Sequence, residues 1–173
     1  MSIITGRGDS GETDLLFGKR ITKTSVRIEA LGCVDELNAA LGLARAAGAN
    51  PEWIELIDSL QDKLIGLMGQ LATLPEDMDR YRETKFPLIE QADVDWVTDE
   101  ARKYEARGIR FKGWARPGAE GCAARAGVDF ARSVARRAIL KLHESGEEVP
   151  ESVRLFFNRL ADLLWILARV ENA

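Results

Sequence analysis

The sequence predicts an all-α protein, a single domain spanning 1–173 and built as an up-and-down bundle of five helices. Three observations carry that expectation. Five stretches repeat apolar residues every three or four positions, none alternates apolar and polar residues as a half-buried strand does, and glycine or proline punctuates the gaps. The chain is 46% hydrophobic and 30% charged over 173 residues, enough to bury one core.

The chain opens with a segment that breaks the helical pattern. Residues 1–22 hold Gly6, Gly8, Gly11 and Gly18 among polar residues and read as an ordered or ligand-ordered loop. The first helix is expected over 23–47, on Val26, Ala30, Val34, Leu37, Leu41 and Leu43, with Gly48 and Asn50-Pro51 ending it. The second covers 51–74 on a stripe including Trp53, Ile57, Leu60, Leu64 and Leu67, and 75–87 is a charged loop. The third runs over 91–107 with Val94, Val97, Ala101 and Tyr104 inward. A second long loop, 108–121, contains Gly113 and Pro117-Gly118. The fourth helix spans 121–145, and the fifth spans 151–171 along Val153, Phe156, Phe157, Leu160, Leu164 and Leu167. A minimal bundle needs no such long loops, and long loops in compact domains often carry function.

A net charge of −4 argues against a broad basic face for nucleic acid, while leaving room for a local basic pocket. Cys33 and Cys122 lack metal-ligand spacing and read as reduced, buried thiols. The N-terminus has no basic region followed by an apolar stretch, and the apolar run 163–168 is too short to span a bilayer. The expected compartment is therefore the cytoplasm, with no membrane partner.

Four places carry candidate chemistry. Thr5, Gly8, Ser10, Gly11 and Thr13 combine freed backbone amides with hydroxyls, beside the cations Arg7, Lys19, Arg20 and Lys23. Those are the parts that cradle a polyphosphate. The segment is not a Walker loop, because six residues instead of four separate Gly11 from Gly18-Lys19 and Arg20 stands where a hydroxyl residue belongs. On the first helix lie Arg27, Glu29, Asp35, Glu36 and Asn38, with Asp35 and Asn38 on one face. An Asp near an apolar face calls for a cationic partner, although a solvated acidic patch is the plainer reading.

On the fourth helix Arg132 and Arg136 stand one turn apart, with Arg137 beside them. Stacked guanidiniums repel unless an anion lies between or across from them, and a carboxylate or a triphosphate would serve. On the fifth, Asn158 and Asp162 are four apart, within reach of Arg159. His143 reads as a helix-dipole partner. No Ser/His/Asp triad, zinc spacing or dinucleotide fingerprint occurs.

Taken in order, these motifs resemble those of the PduO-type ATP:cob(I)alamin adenosyltransferases. Gly8-Asp9-Ser10-Gly11-Glu12-Thr13 matches the family's opening Gly-Asp-x-Gly-x-Thr, and Gly18, Arg20 and Lys23 follow it. Residues 27–38 match Arg-x-Glu-Ala-x-Gly-x-x-Asp-Glu-Leu-Asn, the longest agreement. Trp114-Ala115-Arg116-Pro117-Gly118 falls at Phe-x-x-Pro-Gly, residues 131–138 at the helix-four signature, and Asn158-Arg159-Leu160-Ala161-Asp162 at the closing Asn-Arg-Leu-Ser-Asp.

The resemblance implies a ferritin-like bundle that forms a homotrimer with sites between subunits. There the 5′-deoxyadenosyl group of ATP would pass to cob(I)alamin, the corrinoid substrate. It also implies that 1–22 is an ATP-binding loop, contacting nucleotide through Thr5, Arg7, Gly8, Asp9, Ser10, Gly11, Thr13 and Lys23. Arg27, Glu29 and Arg137 would add to the nucleotide site, and Arg136 and Asn158 would hold the triphosphate. Asp35 would pair across the subunit interface with Arg132. Trp114, with Phe111 the other candidate, would displace the lower cobalt ligand. Mg²⁺ would share the phosphate charge without a protein-borne metal site, and a reductase or B12-dependent enzyme is an implied partner.

Two departures stand out. Where the family continues Arg-Arg-Ala-Glu, this chain has Arg137-Ala138-Ile139, so a carboxylate near metal and nucleotide is missing. Trp114 replaces the family's Phe. A diverged member that binds ATP or adenosylcobalamin as a carrier or sensor, without efficient catalysis, is the alternative reading. A helical interaction module is a third. Retention of Asp35 with Arg132, and of Arg136 with Asn158, argues against the third, since a bundle merely keeping its shape has no use for them.

Overall fold

The computed structural model describes residue 4 and residues 6–110, 113–145 and 149–171. Among them the elements run β1 (Glu12–Asp14), β2 (Arg20–Thr22), α1 (Val26–Ala46), α2 (Pro51–Leu71), α3 (Met78–Arg82), α4 (Gln91–Glu105), α5 (Ala123–Glu144) and α6 (Glu151–Leu167). The expected five long helices are all present, each somewhat shorter than its apolar pattern. Ser25 starts α1 by accepting a hydrogen bond from the Ile28 N–H at 3.3 Å, and Asn50 starts α2 by accepting from the Trp53 N–H at 2.9 Å.

The all-α expectation needs two corrections. Part of the segment 1–22 is an antiparallel hairpin, with Glu12 opposite Thr22 and Asp14 opposite Arg20. Strands of three residues offer too few alternations to register as a pattern, and ion pairs hold them in place of an apolar face: Arg20 reaches Asp14 at 2.8 Å and Glu12 at 3.2 Å. The chain reverses through Phe17 (φ 58°) and Gly18 (φ 78°), both left-handed. Leu15 is buried, and the Leu16 N–H donates to the Ala72 carbonyl at 2.8 Å, so the hairpin is anchored on the end of α2.

The second correction is α3, a sixth helix inside the expected loop 75–87. Its Tyr81 is fully buried and donates to the Gly66 carbonyl at 2.7 Å. Glycine on α2 makes that docking possible: a Cβ on Gly69 would lie 2.5 Å from the Tyr81 hydroxyl, and one on Gly66 would lie 2.5 Å from the Pro87 carbonyl. A five-residue helix completes too little of a hydrophobic period to be read.

In the bundle α1 packs along α5, α5 on α6, α6 on α4, and α1 on α2. The α1–α5 seam is the closest. A Cβ on Gly127 would lie 2.8 Å from the Ala44 Cα, and buried Ala131, Ala135 and Ala138 continue the small-residue contact. The core beneath includes Leu37, Leu41, Ile57, Leu64, Phe156, Leu160 and Leu164, all without solvent exposure. Two expectations fail locally. Leu43 is 60% exposed, and Cys122, expected to be buried, lies exposed just before α5, whereas Cys33 is buried. Among the described residues no helix is long and apolar enough to cross a membrane.

Salt bridges tie α2 to α4 and the turn after it, through Lys63–Asp93 at 2.5 Å and Glu52–Arg107 at 2.5 Å. The hydrogen bonds from Arg107 hold the Glu52 carboxyl down to about 2, against the opposing effect of desolvation. A depressed folded-state carboxyl stabilises the fold above its ordinary pKa, and that stability is lost as pH falls toward the folded value. Thermal unfolding from pH 6 to pH 2 is therefore expected to show a drop in Tm below about pH 4.5, smaller in Glu52→Gln than in the unmodified protein. Equal drops in the two would refute this.

Candidate functional site

Tight turns before the hairpin shape the N-terminal motif. The Asp9 N–H donates to the Gly6 carbonyl at 3.1 Å, the Gly11 N–H to the Gly8 carbonyl at 3.2 Å, and the Lys23 N–H to the Gly11 carbonyl at 2.8 Å. Gly11 is left-handed at φ 86°, a conformation glycine adopts without strain. A Cβ on Gly8 would sit 2.8 Å from the Lys23 Nζ, so that ammonium lies directly over the Gly8 backbone. The fold thus gathers Gly8, Gly11 and Lys23, with Asp9 and Ser10 exposed beside them and Thr13 half-buried on β1. Thr5 lies outside the described residues.

The cations of this segment are partly committed. Arg7 pairs with Asp14 at 3.2 Å, and Arg20 donates to the Arg7 carbonyl at 3.2 Å. Arg27 is buried and donates to the carbonyls of Leu71 at 2.6 Å and Thr73 at 2.9 Å, closing the C-terminal end of α2. The sequence did not suggest this engagement.

Along the α1–α5 seam Glu29 pairs with Lys141 at 3.0 Å and Glu36 with Arg137. The hydrogen bond from Arg137 to Glu36 raises the Arg137 guanidinium further above its ordinary value. Asp35 and Arg136 are exposed, and neither has an ion-pair partner among the described residues. Asn158 is exposed on α6, and Arg159 meets Asp162 at 3.4 Å as the spacing suggested. Ile139 is half-buried and packs against the core.

The anion facing Arg132 within the chain was not foreseen. Arg132 Nε donates to Asp129 Oδ1 at 2.7 Å, and the other oxygen, Oδ2, accepts from Arg169 Nη2 at 2.8 Å. Asp129 and Arg169 are among the few charged residues that are buried. The i,i+3 spacing of Asp129 and Arg132 was a usable signal. Nothing local points to Arg169, which lies 40 residues from Asp129.

Trp114 is 90% exposed, on the rim of a cavity of about 300 Å³ that Arg110, Arg116, Pro117, Arg125 and Asp129 also line. The base of this loop is clamped to the chain's C-terminal end. The Arg110 N–H donates to the Arg169 carbonyl at 2.8 Å and the Glu171 N–H to the Gly108 carbonyl at 3.0 Å. Arg125 donates to the Val170 carbonyl at 2.7 Å. Phe111 lies outside the described residues. Among the described residues no three His, Cys, Asp or Glu side chains converge as a metal site.

Glycine turns under Lys23, an arginine-bearing face of α5 and a loop tipped by Trp114 are the candidate binding features the fold presents. The sequence profile of the cobalamin adenosyltransferases matches residues 3–171. The chain is 37% identical to the corrinoid adenosyltransferase PduO of Citrobacter freundii over 179 residues, covering 99% of this chain and 50% of that protein. It is 38% identical to a cobalamin adenosyltransferase of Cupriavidus metallidurans, covering 98% of this chain and 88% of that protein. In three dimensions it is similar to a Phe-to-Ala variant of the PduO-type ATP:corrinoid adenosyltransferase of Lactobacillus reuteri complexed with cobalamin and ATP. The TM-score is 0.83 at 26% identity, over 97% of this chain and 92% of that one. The chain belongs to the cobalamin adenosyltransferase family. It spans about half the length of the PduO proteins of Citrobacter freundii and Salmonella typhimurium.

Proposed function

We propose that this protein is an ATP:corrinoid adenosyltransferase, transferring the 5′-deoxyadenosyl group of ATP to cob(I)alamin and releasing triphosphate. The observation that carries the reading is the Lys23 ammonium lying over the Gly8 backbone within the glycine turns. That arrangement, in a chain of this family, offers a cation set beside tight glycine turns to a polyphosphate. Arg136, exposed and without a carboxylate partner among the described residues, and Asn158 would hold the triphosphate as it leaves. Mg²⁺ would arrive on the phosphates of ATP.

The reaction is a substitution at C5′. The cobalt of cob(I)alamin supplies the electron pair of the new Co–C5′ bond, and the C5′–O bond breaks with its own pair leaving on the triphosphate. No protein base is required. The protein positions the two substrates and stabilises the developing charge. Trp114 covers the lower face of the corrinoid.

The site is completed by a homotrimer, in which Asp35 of one subunit meets Arg132 of the next. Supporting this, α5 shows Phe130, Arg137 and Leu140 on one face, with Phe130 49% and Leu140 61% exposed, and Leu43 of α1 is exposed as well. Apolar side chains of that size grouped on a charged helix face fit an interface. Asp35→Asn is expected to lower the trimer fraction in sedimentation or weaken corrinoid binding at least several-fold. No change in either would refute the pairing.

The decisive experiment is anaerobic mixing of the protein with MgATP and chemically reduced cob(I)alamin, following the visible spectrum. Catalytic formation of adenosylcobalamin establishes the enzyme. Binding of both substrates without turnover would favour the carrier or sensor reading, for which Ile139 in place of a carboxylate is the one specific observation. The cytoplasm is the compartment that fits two unpaired thiols and the ATP supply.

A further inference from the structure

We propose that Asp129 and Arg169 form a positioning relay that holds Arg132 and the Trp114 segment in register on the corrinoid side of the site; the inference rests on the function proposed above. The side chains of Asp129 and Arg169 are only 3% and 8% exposed. Asp129 divides its carboxylate, giving Oδ1 to Arg132 and Oδ2 to Arg169. The same Arg169 Nη2 carries a second hydrogen, which reaches the Ala115 carbonyl at 3.4 Å. Ala115 is the residue next to Trp114. One buried carboxylate is therefore bonded directly to Arg132 of α5 and linked through the Arg169 guanidinium to the aromatic-tipped loop.

Stability alone is a poor reason for this arrangement. A buried ion pair commonly does no better than apolar residues of the same volume. Arg169 also leaves its Nε buried without a hydrogen-bond partner, a loss a purely stabilising contact would avoid. Its guanidinium is instead aimed: Nη1 donates to the Trp165 carbonyl at 3.1 Å, and the group stacks 4.7 Å above the Trp165 ring. The backbone agrees, because Ile109 pairs with Val170 and the base of the Trp114 loop is bound to the strand-like segment after α6. Asp129 uses only the Nε of Arg132, leaving both Nη groups as donors for a carboxylate of another subunit. Asp129 and Arg169 touch neither substrate in this scheme and act through Arg132 and the loop.

The test uses Asp129→Asn and Arg169→Lys in the full chain. Lysine keeps the charge beside Asp129 but lacks the planar fork that also serves Ala115 and Trp165. Two readouts are needed: KM and kcat for ATP and for the corrinoid separately, with cob(II)alamin under a reducing system, and chymotryptic cleavage after exposed Trp114. A misplaced group of this kind is expected to lower kcat/KM for the corrinoid by ~10- to ~10²-fold. KM for ATP should stay within about twofold, and chymotryptic cleavage after Trp114 should quicken several-fold. If Asp129→Asn does not fold, Arg169→Lys carries the test. Unchanged corrinoid kinetics in a folded variant, or equal losses for ATP and corrinoid, overturns the relay. If the unmodified protein makes no adenosylcobalamin, the proposed function fails, and chymotryptic cleavage after Trp114 alone then decides whether Arg169 restrains the loop: unchanged cleavage overturns it.

Discussion

Replacing Arg136 with Ala is expected to lower the rate of adenosylcobalamin formation from MgATP and cob(I)alamin by ~10²–10³-fold, the usual cost of removing one preorganised stabiliser of transition-state charge. Arg136 is exposed on α5 and, unlike Arg132 and Arg137, has no carboxylate partner among the described residues. Its charge is thus available to a leaving triphosphate and is not already neutralised. The loss should appear in kcat as well as in KM for ATP, because negative charge on the triphosphate grows as the C5′–O bond breaks. Arg136→Lys should recover part of it, since an ammonium keeps the charge without the bidentate fork. Rapid-scan absorbance under anaerobic conditions measures the rate. A change in KM for ATP with kcat intact would show that Arg136 binds nucleotide without assisting the reaction.

Trp114→Ala is expected to have an effect of similar size on a different step. Trp114 is 90% exposed at the rim of its cavity, a placement that costs apolar hydration and has no packing benefit within the chain. Conversion of cob(II)alamin under a reducing system should fall on the order of 10²-fold, while ATP affinity stays unchanged. Cob(I)alamin supplied already reduced should be converted with a much smaller loss. The comparison of the two assays is the measurement. An equal loss in both, or a matching loss of ATP affinity, would remove Trp114 from the corrinoid face.

Much of the molecule was legible from residue order because the information is local. The stripe Leu37, Leu41 and the stripe Phe156, Phe157, Leu160, Leu164 lie on one face of a 3.6-residue period, and all are buried in the core. Asn50-Pro51 and Gly48 marked the α1–α2 turn for the same reason, since capping and left-handed backbone are decided within a few residues. The candidate motifs were legible too. The hairpin and α3 were not, because three and five residues complete no period and Leu15 and Tyr81 are buried by distant partners on α2.

By itself the sequence determined the five long helices, the apolar stripe each turns inward, and where glycine, arginine and aromatic side chains concentrate. Only the tertiary structure decided which charges are spent. It placed Arg27 on the carbonyls ending α2, Glu36 on Arg137, and Asp129 between Arg132 and Arg169. It also laid Lys23 over Gly8. Periodicity is a property of neighbours three and four apart, whereas a buried ion pair joins residues that only the packing of α5 against α6 brings within reach. Burial cannot be read from a charged residue alone, because the energy that permits it belongs to a partner elsewhere in the chain.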